Sequence, residues 1–256
     1  MPVRGIPGVR SLTSLRPTLK ERTLGRVRGL GIDRALALLA AAAAILLFAF
    51  ARLADEVMEG ETRTFDERIL LALRMPGDIS MPIGPVWLQE MVRDFTALGS
   101  TGVLTIVTLG CAAFLVVSGK WRTAAFVVAS VAGGVAVSSL LKLGFARPRP
   151  DLVPHSVVVF TNSFPSGHAM MSAIVYLTLG NLLARSQPSV AIKVYLMSLA
   201  LFLTLLVGVS RVYLGVHWPS DVLAGWAVGA GWALICWLVM SLLQSAGTVE
   251  GDESRP

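Results

Sequence analysis

Three short segments of this chain gather the residue types that handle phosphate groups and protons. The segment SRVYLGVHWPSD, residues 210–221, places Arg211, His217 and Asp221 between two apolar runs. KLGFARPRP, residues 142–150, holds Lys142, Arg147 and Arg149, with no acid before Asp151. NSFPSGHAMM, residues 162–171, holds Ser166, Gly167 and His168 behind Pro165. A guanidinium fork can clamp two phosphoryl oxygens, and an ammonium adds a mobile point charge. Three cations so close together therefore point to an anionic ligand, although charges snorkelling at a membrane boundary would read the same way. Glycine lets the backbone approach such a ligand, and the N–H groups of a helix start point toward it. His217 and Asp221 lie four apart, and Pro219 between them suits the first turn of a helix. On that helix start the carboxylate fixes the imidazole tautomer and raises its basicity, leaving the other ring nitrogen to attack.

Other chemistries fit these residues less well. Ser-Gly-His invites a serine nucleophile, but no Gly-x-Ser-x-Gly elbow is present and no acid lies near His168 in sequence. A His–Asp pair also occurs behind metal ligands. The chain has 3 histidines, the nearby acids are Asp151 and Asp221, and the surrounding cations would repel a metal. Neither a metal nor another cofactor is expected. His155 has no distinctive spacing to the three segments and is assigned a local role in its loop. Cys111 and Cys236 each sit inside an apolar run without the spacing of a disulfide or metal site, and read as small packing residues.

The elements that must position these segments are membrane helices. The 256-residue chain is 54% hydrophobic and 15% charged, against about a quarter charged in soluble domains. Six apolar stretches approach the roughly 20 helical residues that cross a bilayer core: 35–53, 98–118, 123–141, 168–184, 194–210 and 222–243. The first follows an Arg-rich head but shows no cleavage motif, and five more follow, so it reads as a retained helix. Residues 1–34 carry eight Lys/Arg against Glu21 and Asp33, whereas the 54–95 loop carries nine acids against four bases. The positive-inside rule then puts both termini in the cytoplasm and all three polar segments on the opposite surface. The net charge of +6 is explained by that topology signal, and no nucleic-acid partner is expected. FDERILLALR, residues 65–74, repeats apolar positions with helical period, which predicts an amphipathic interfacial helix in the first outer loop. Gly225 and Gly229 form a small-xxx-small face suited to close helix packing. The expected fold is all-α and polytopic, with six transmembrane helices spanning a domain over 31–245. Residues 1–30 and 246–256 are expected without regular structure.

Together these residues resemble the type 2 phosphatidic acid phosphatase superfamily, which also includes vanadium haloperoxidases. The family pattern is Lys, six residues, Arg-Pro; then Pro-Ser-Gly-His; then Ser-Arg, five residues, His, three residues, Asp. Here it is met by Lys142 and Arg149-Pro150, by Pro165 to His168, and by Ser210-Arg211, His217 and Asp221. The resemblance implies that His217 attacks phosphorus to form a phosphohistidine and that Asp221 orients it. His168 would protonate the leaving oxygen and then serve as base for water. Lys142, Arg149, Arg211, Ser166 and the Gly167 amide would hold the phosphoryl oxygens. Arg147 is not a motif position and is left between a second phosphate or headgroup contact and a surface charge. Proteins similar to this one act on undecaprenyl diphosphate, phosphatidylglycerol phosphate or phosphatidic acid. The first expectation is hydrolysis of undecaprenyl diphosphate at the outer side of the plasma (inner) membrane, with the other two lipids as alternatives. A phosphotransferase is a further alternative, and a non-hydrolytic lipid transporter or scaffold is the reading from a different class. The membrane lipid is the one expected partner, and nothing in the sequence sets an oligomeric state.

Overall fold

The computed structural model describes residues 19–154 and 161–250, with side chains from residue 34 onward. Two compact units divide the chain, Met1–Leu38 and Leu39–Pro256, and the second carries every polar segment named above. Helix α1 runs from Leu19 to Glu59, so its backbone is already helical over residues 19–30, which the sequence left without regular structure. The segment after α1 folds as α2 (Arg63–Ala72), the short antiparallel strands β1 (Arg74–Met75) and β2 (Asp78–Pro82), and α3 (Val86–Ala97). Gly77, with φ near +88°, makes the tight connection between the strands. Then follow α4 (Thr101–Val117), α5 (Trp121–Gly144), α6 (Gly167–Arg185), α7 (Val190–Tyr213) and α8 (Pro219–Ser245).

Among the described residues five helices are long and apolar enough to cross a membrane: Arg34–Glu59, α5, α6, α7 and α8. The expected second span is a bent pair. α3 and α4 qualify only together and meet at an angle of 49°. Ser100 starts α4 by accepting a hydrogen bond from the Val103 N–H, the usual work of a serine N-cap. Gly99 sits at the bend because a Cβ there would lie 2.3 Å from Val207 and 3.3 Å from the His168 ring. The corner can close on α6 and α7 only without a side chain. Apart from the small hairpin, this is an all-α polytopic membrane protein with five or six spanning elements. Many outward-facing side chains on these helices are large and apolar, among them Phe48, Ile106, Phe114 and Phe202, as a lipid-facing surface requires.

Helices α6 and α8 form the centre: 44% of each apolar window is buried, against 6% for the first span. Their close approach depends on Gly225 and Gly229, where a Cβ would stand 2.7 Å from the Ser166 carbonyl oxygen and 2.5 Å from that of Met170. On the other side of α6, Gly134 of α5 makes room for Ile174. Chain connectivity brings the end of α5, the start of α6, the end of α7 and the start of α8 to one end of the bundle. At the opposite end the chain reverses after α8 at Gly247, whose φ is +69°. The Gly247 and Thr248 N–H groups return to the carbonyls of Gln244 and Leu243, a Schellman closure. The Glu250 carboxylate then accepts from the Arg122 and Thr123 N–H groups, capping α5 from 127 or more residues away. Residues 246–250 are thus structured. Residues 251–256 and the histidine at 155 lie outside the described residues.

Candidate active site

Proline 219 has no N–H to lose at the first position of α8 and therefore starts that helix cheaply. Asp221, two residues on, turns its carboxylate back to the Trp218 N–H at 2.9 Å. The same Oδ2 accepts from the Ser163 hydroxyl and lies 3.3 Å from His217 Nδ1. The i, i+4 pair expected from the sequence is therefore made, and it is fully buried: His217 is 1% exposed and Asp221 0%. On the far side of the ring, Arg149 Nη1 stands 3.1 Å from His217 Nε2. A guanidinium only donates, so Nε2 must accept and the ring proton belongs on Nδ1, facing Asp221. Burial lowers the His217 pKa to about 4 against the opposing pull of Asp221, with Arg149 and Arg211 lowering it further. At neutral pH the ring is uncharged, with a lone pair on Nε2.

Three cations from different elements surround the His217–Asp221 pair, Arg149 and Arg211 acting on His217 and Lys142 on Asp221. Lys142, in the last turn of α5, donates to the Thr161 hydroxyl and the Asn162 carbonyl, both at 3.1 Å. Its stem lies over Gly167, where a Cβ would come within 3.3 Å of Lys142 Cε. Arg149 donates to the carbonyls of Val216 at 2.6 Å and Thr161 at 2.8 Å; burial lowers its pKa, with Asp221 pulling the other way. Arg211, at the end of α7, is 3% exposed and reaches Thr96 of α3 at 3.1 Å, while its Nε has no hydrogen-bond partner. His168, the second residue of α6, is close enough to feel the charges of Arg211, His217, Lys142 and Arg149. Ser166 caps α6 at 3.5 Å from the Ala169 N–H and is buried, with its own N–H bonded to the Asp221 carbonyl. All the sequence-named groups except Arg147 belong to this cluster.

Arg147 is placed differently. Its guanidinium donates to Asp221 Oδ1 at 2.6 Å and to Asp66 Oδ2 at 2.7 Å, so both ends are held by buried carboxylates rather than presented to a headgroup. It also lies over the Trp218 ring, 5.6 Å from its centroid. The sequence reading missed Asp66 and Ser163. A signal for Asp66 was present: it falls on the same helical stripe as Leu70 and Leu73, and an acid on an apolar face needs a buried partner. Ser163 sits inside the quoted NSFPSGH segment, where nothing separates it from a loop serine.

The loop that carries Arg147 and Arg149 is fastened from below by Phe50, Phe145 and Phe164, whose ring centroids are 5.1–6.2 Å apart. Among the described residues no three His, Cys, Asp or Glu side chains come together as metal ligands; positive charge here comes from side chains. An apolar cavity of about 190 Å³ opens at the other end of the bundle, between Phe126, Leu182 and Trp237. None of the residues named above as site groups lines it.

A neutral, carboxylate-oriented histidine under three cations, set at one end of a polytopic helical bundle, defines a membrane enzyme that binds phosphoryl groups. The model of the PAP2 superfamily matches residues 123–244. Phosphatidylglycerophosphatase B of Bacillus subtilis (strain 168) is 34% identical over 146 residues, covering 56% of this chain and 70% of that protein. An undecaprenyl-diphosphatase of Sulfolobus acidocaldarius is 33% identical over 150 residues, covering 57% of this chain and 64% of that protein. Among solved structures, a transmembrane PAP2-type phosphatidylglycerolphosphate phosphatase from Bacillus subtilis superposes with a TM-score of 0.68 at 27% identity, covering 78% of this chain and 96% of that one. The chain belongs to the PAP2 superfamily and is a membrane phosphatase of that family.

Proposed function

We propose that this protein hydrolyses the phosphate or diphosphate of a membrane lipid through a phosphohistidine on His217. The observation that carries the reading is the Arg149 contact at 3.1 Å, which leaves Nε2 as the attacking lone pair and brings a cation to where phosphoryl charge develops. Nε2 attacks phosphorus, and Asp221 stabilises the imidazolium that results. Lys142, Arg149 and Arg211, with the Ser166 hydroxyl and the Gly167 N–H, bind the phosphoryl oxygens and gain most as negative charge grows in the transition state. His168 delivers a proton to the leaving lipid oxygen, then removes one from the water that cleaves the phosphorus–nitrogen bond. No metal is assigned, since these cations do the electrostatic work.

The substrate we favour is undecaprenyl diphosphate, cleaved to undecaprenyl phosphate at the outer face of the plasma membrane with both termini cytoplasmic. Charge asymmetry between residues 1–34 and the 54–95 loop supports the orientation, and the similarity to an undecaprenyl-diphosphatase supports the lipid. The similarity to phosphatidylglycerophosphatase B supports phosphatidylglycerophosphate as the second substrate reading. Exposed Phe65 and Leu71 on α2 support an interfacial position for that helix beside a lipid entrance.

Purified protein in detergent, given each lipid with and without EDTA, should release phosphate in both conditions, fastest from the physiological substrate. His217→Ala and His168→Ala should abolish release while the protein stays folded. Full activity of both variants on every lipid would overturn the proposal, and no hydrolysis by the native chain would favour a transporter or scaffold.

A further inference from the structure

The first outer loop enters the catalytic centre through one buried carboxylate. Asp66, on α2, is 0% exposed. Its Oδ1 accepts from the Ser220 N–H at 2.8 Å, and its Oδ2 from the Ser220 hydroxyl at 2.6 Å and Arg147 Nη2 at 2.7 Å. Arg147 Nη1 in turn donates to the Ser220 hydroxyl at 2.8 Å and to Asp221 Oδ1 at 2.6 Å. A closed ring results, Asp66–Arg147–Asp221 with Ser220 inside it, and His217 hangs from the opposite oxygen of Asp221.

We propose that Asp66 is a positioning residue for the reaction, holding Asp221 in place and sharing Arg147 with it so that Asp221 keeps its charge for His217. The inference rests on the reading of His217 as nucleophile. Two physical effects support it. The first is geometric: Ser220 is the second residue of α8, its N–H is one of the orphan donors of a helix start, and Asp66 supplies the acceptor that neither Pro219 nor Trp218 can. The turn that carries Asp221 is therefore fixed by a residue 155 positions earlier in the chain. The second is electrostatic. One guanidinium divided between two carboxylates leaves a net negative charge in the ring, and Asp221 is the member in contact with the imidazole. Without the Asp66 charge, Arg147 would neutralise Asp221 alone, and a neutralised carboxylate gives less support to an imidazolium forming on attack. A purely structural ion pair would serve equally well with no catalytic residue in the ring.

The charged and titratable groups facing His217 are Asp221 on α8, Arg149 in the loop before α6, Arg211 on α7 and His168 on α6. None of these is altered by a change at Asp66, so a pH shift can be assigned to the ring. The test compares Asp66→Asn, Asp66→Glu and Ser220→Ala in detergent, each checked for a native melting temperature. Ser220→Ala removes only the hydroxyl that bridges Asp66 and Arg147, leaves both ion pairs and the backbone N–H contact in place, and stays informative if Asp66→Asn does not fold. Asp66→Asn should lower kcat about 10- to 100-fold with KM for the lipid unchanged. The acid limb of its kcat/KM profile should move to lower pH, because Asp221 then holds the His217 proton less strongly. Asp66→Glu should recover part of kcat, and Ser220→Ala should lose roughly 3- to 10-fold in kcat. Native kcat and an unchanged pH profile in both Asp66→Asn and Ser220→Ala would overturn the inference. So would a raised KM with native kcat, which would make the loop a substrate-binding element. Residual activity in His217→Ala would instead count against the nucleophile assignment, so the two failures are told apart.

Discussion

Replacing Asp221 by asparagine tests the centre of the mechanism with almost no change of volume. Four donors converge on the native carboxylate: Arg147 Nη1 at 2.6 Å, the Trp218 N–H at 2.9 Å, the Ser163 hydroxyl and His217 Nδ1 at 3.3 Å. An amide has one oxygen to offer and adds two N–H groups of its own. If its oxygen faces Arg147, its nitrogen meets Trp218, Ser163 and His217. The imidazole must then turn an unprotonated Nδ1 toward the amide, which moves its proton to Nε2 and removes the lone pair proposed to attack phosphorus. If the oxygen faces His217, the amide nitrogen opposes Arg147, whose buried charge loses its partner on that side. Either placement leaves at least one buried donor unsatisfied, a cost of about 1–3 kcal/mol. Breaking the ion pair raises that toward about 3–5 kcal/mol. The catalytic cost is larger in its consequence: a wrong-tautomer imidazole in a carboxylate-oriented pair loses about 10³- to 10⁴-fold in kcat, or about 4–5.5 kcal/mol in the barrier. The assay is phosphate release from detergent-solubilised lipid, normalised to folded protein by a melting curve, with KM determined separately. A kcat within tenfold of native would refute the orienting role. So would a loss that merely tracks the unfolded fraction.

The pH response of His217 follows from its burial. Its pKa is lowered to about 4 from about 6.5 in an unfolded chain, so the stability it contributes is complete above about pH 6.5. That stability is lost as pH falls toward about 4, because the unfolded chain takes the proton first; the full shift corresponds to about 3 kcal/mol. Melting temperature in detergent should therefore fall between pH 6.5 and pH 4.5 by more in the native chain than in His217→Gln, and equal falls would contradict the buried neutral ring. Gly229→Leu should lower the melting temperature sharply, since even a Cβ there meets the Met170 carbonyl oxygen at 2.5 Å and Ala173 Cβ at 2.8 Å; overpacking of this kind costs about 1–3 kcal/mol. Native stability would mean that α6 and α8 separate freely. Glu250→Ala should speed amide exchange at Arg122 and Thr123, whose N–H groups it caps, without changing kcat, and unchanged exchange would show that the cap does not persist in solution. A cysteine placed in the 54–95 loop should react with an impermeant reagent on intact cells; labelling only after permeabilisation would invert the orientation.

Much of the candidate site was legible because its polar residues border long apolar runs. In a bilayer every polar group must find a partner, so Lys142, Arg149, His168, Arg211, His217 and Asp221 stand out against apolar runs. The local geometry of α8 was legible as well: a proline at its first position and an i, i+4 His–Asp pair depend on nothing beyond one helical turn. Gly225 and Gly229 were readable for the same reason, since small residues four apart always share a face. Residues 65–74 read as an amphipathic helix, and the backbone is helical over Arg63–Ala72. Their length and period, however, do not say whether the apolar face meets lipid or protein.

Tertiary structure decided what depends on residues far apart in the chain. Arg147 reads as the same kind of cation as Arg149, and only packing sends Arg147 to Asp66 and Asp221 and Arg149 to the His217 ring. Asp66 is 155 residues from Asp221, and no local pattern links them. The bend between α3 and α4 was likewise hidden: hydropathy sums over a window and is blind to direction, whereas Gly99 turns the chain because Val207 and His168 leave no space for a side chain. The sequence by itself determined the class of chemistry, the apolar helices and the helix turn that pairs His217 with Asp221, because composition and short spacing suffice for each. Which carboxylate balances which guanidinium, and which way each side chain faces, was left to the folded structure, because long-range pairing follows from the packing of α2, α6 and α8 and not from spacing.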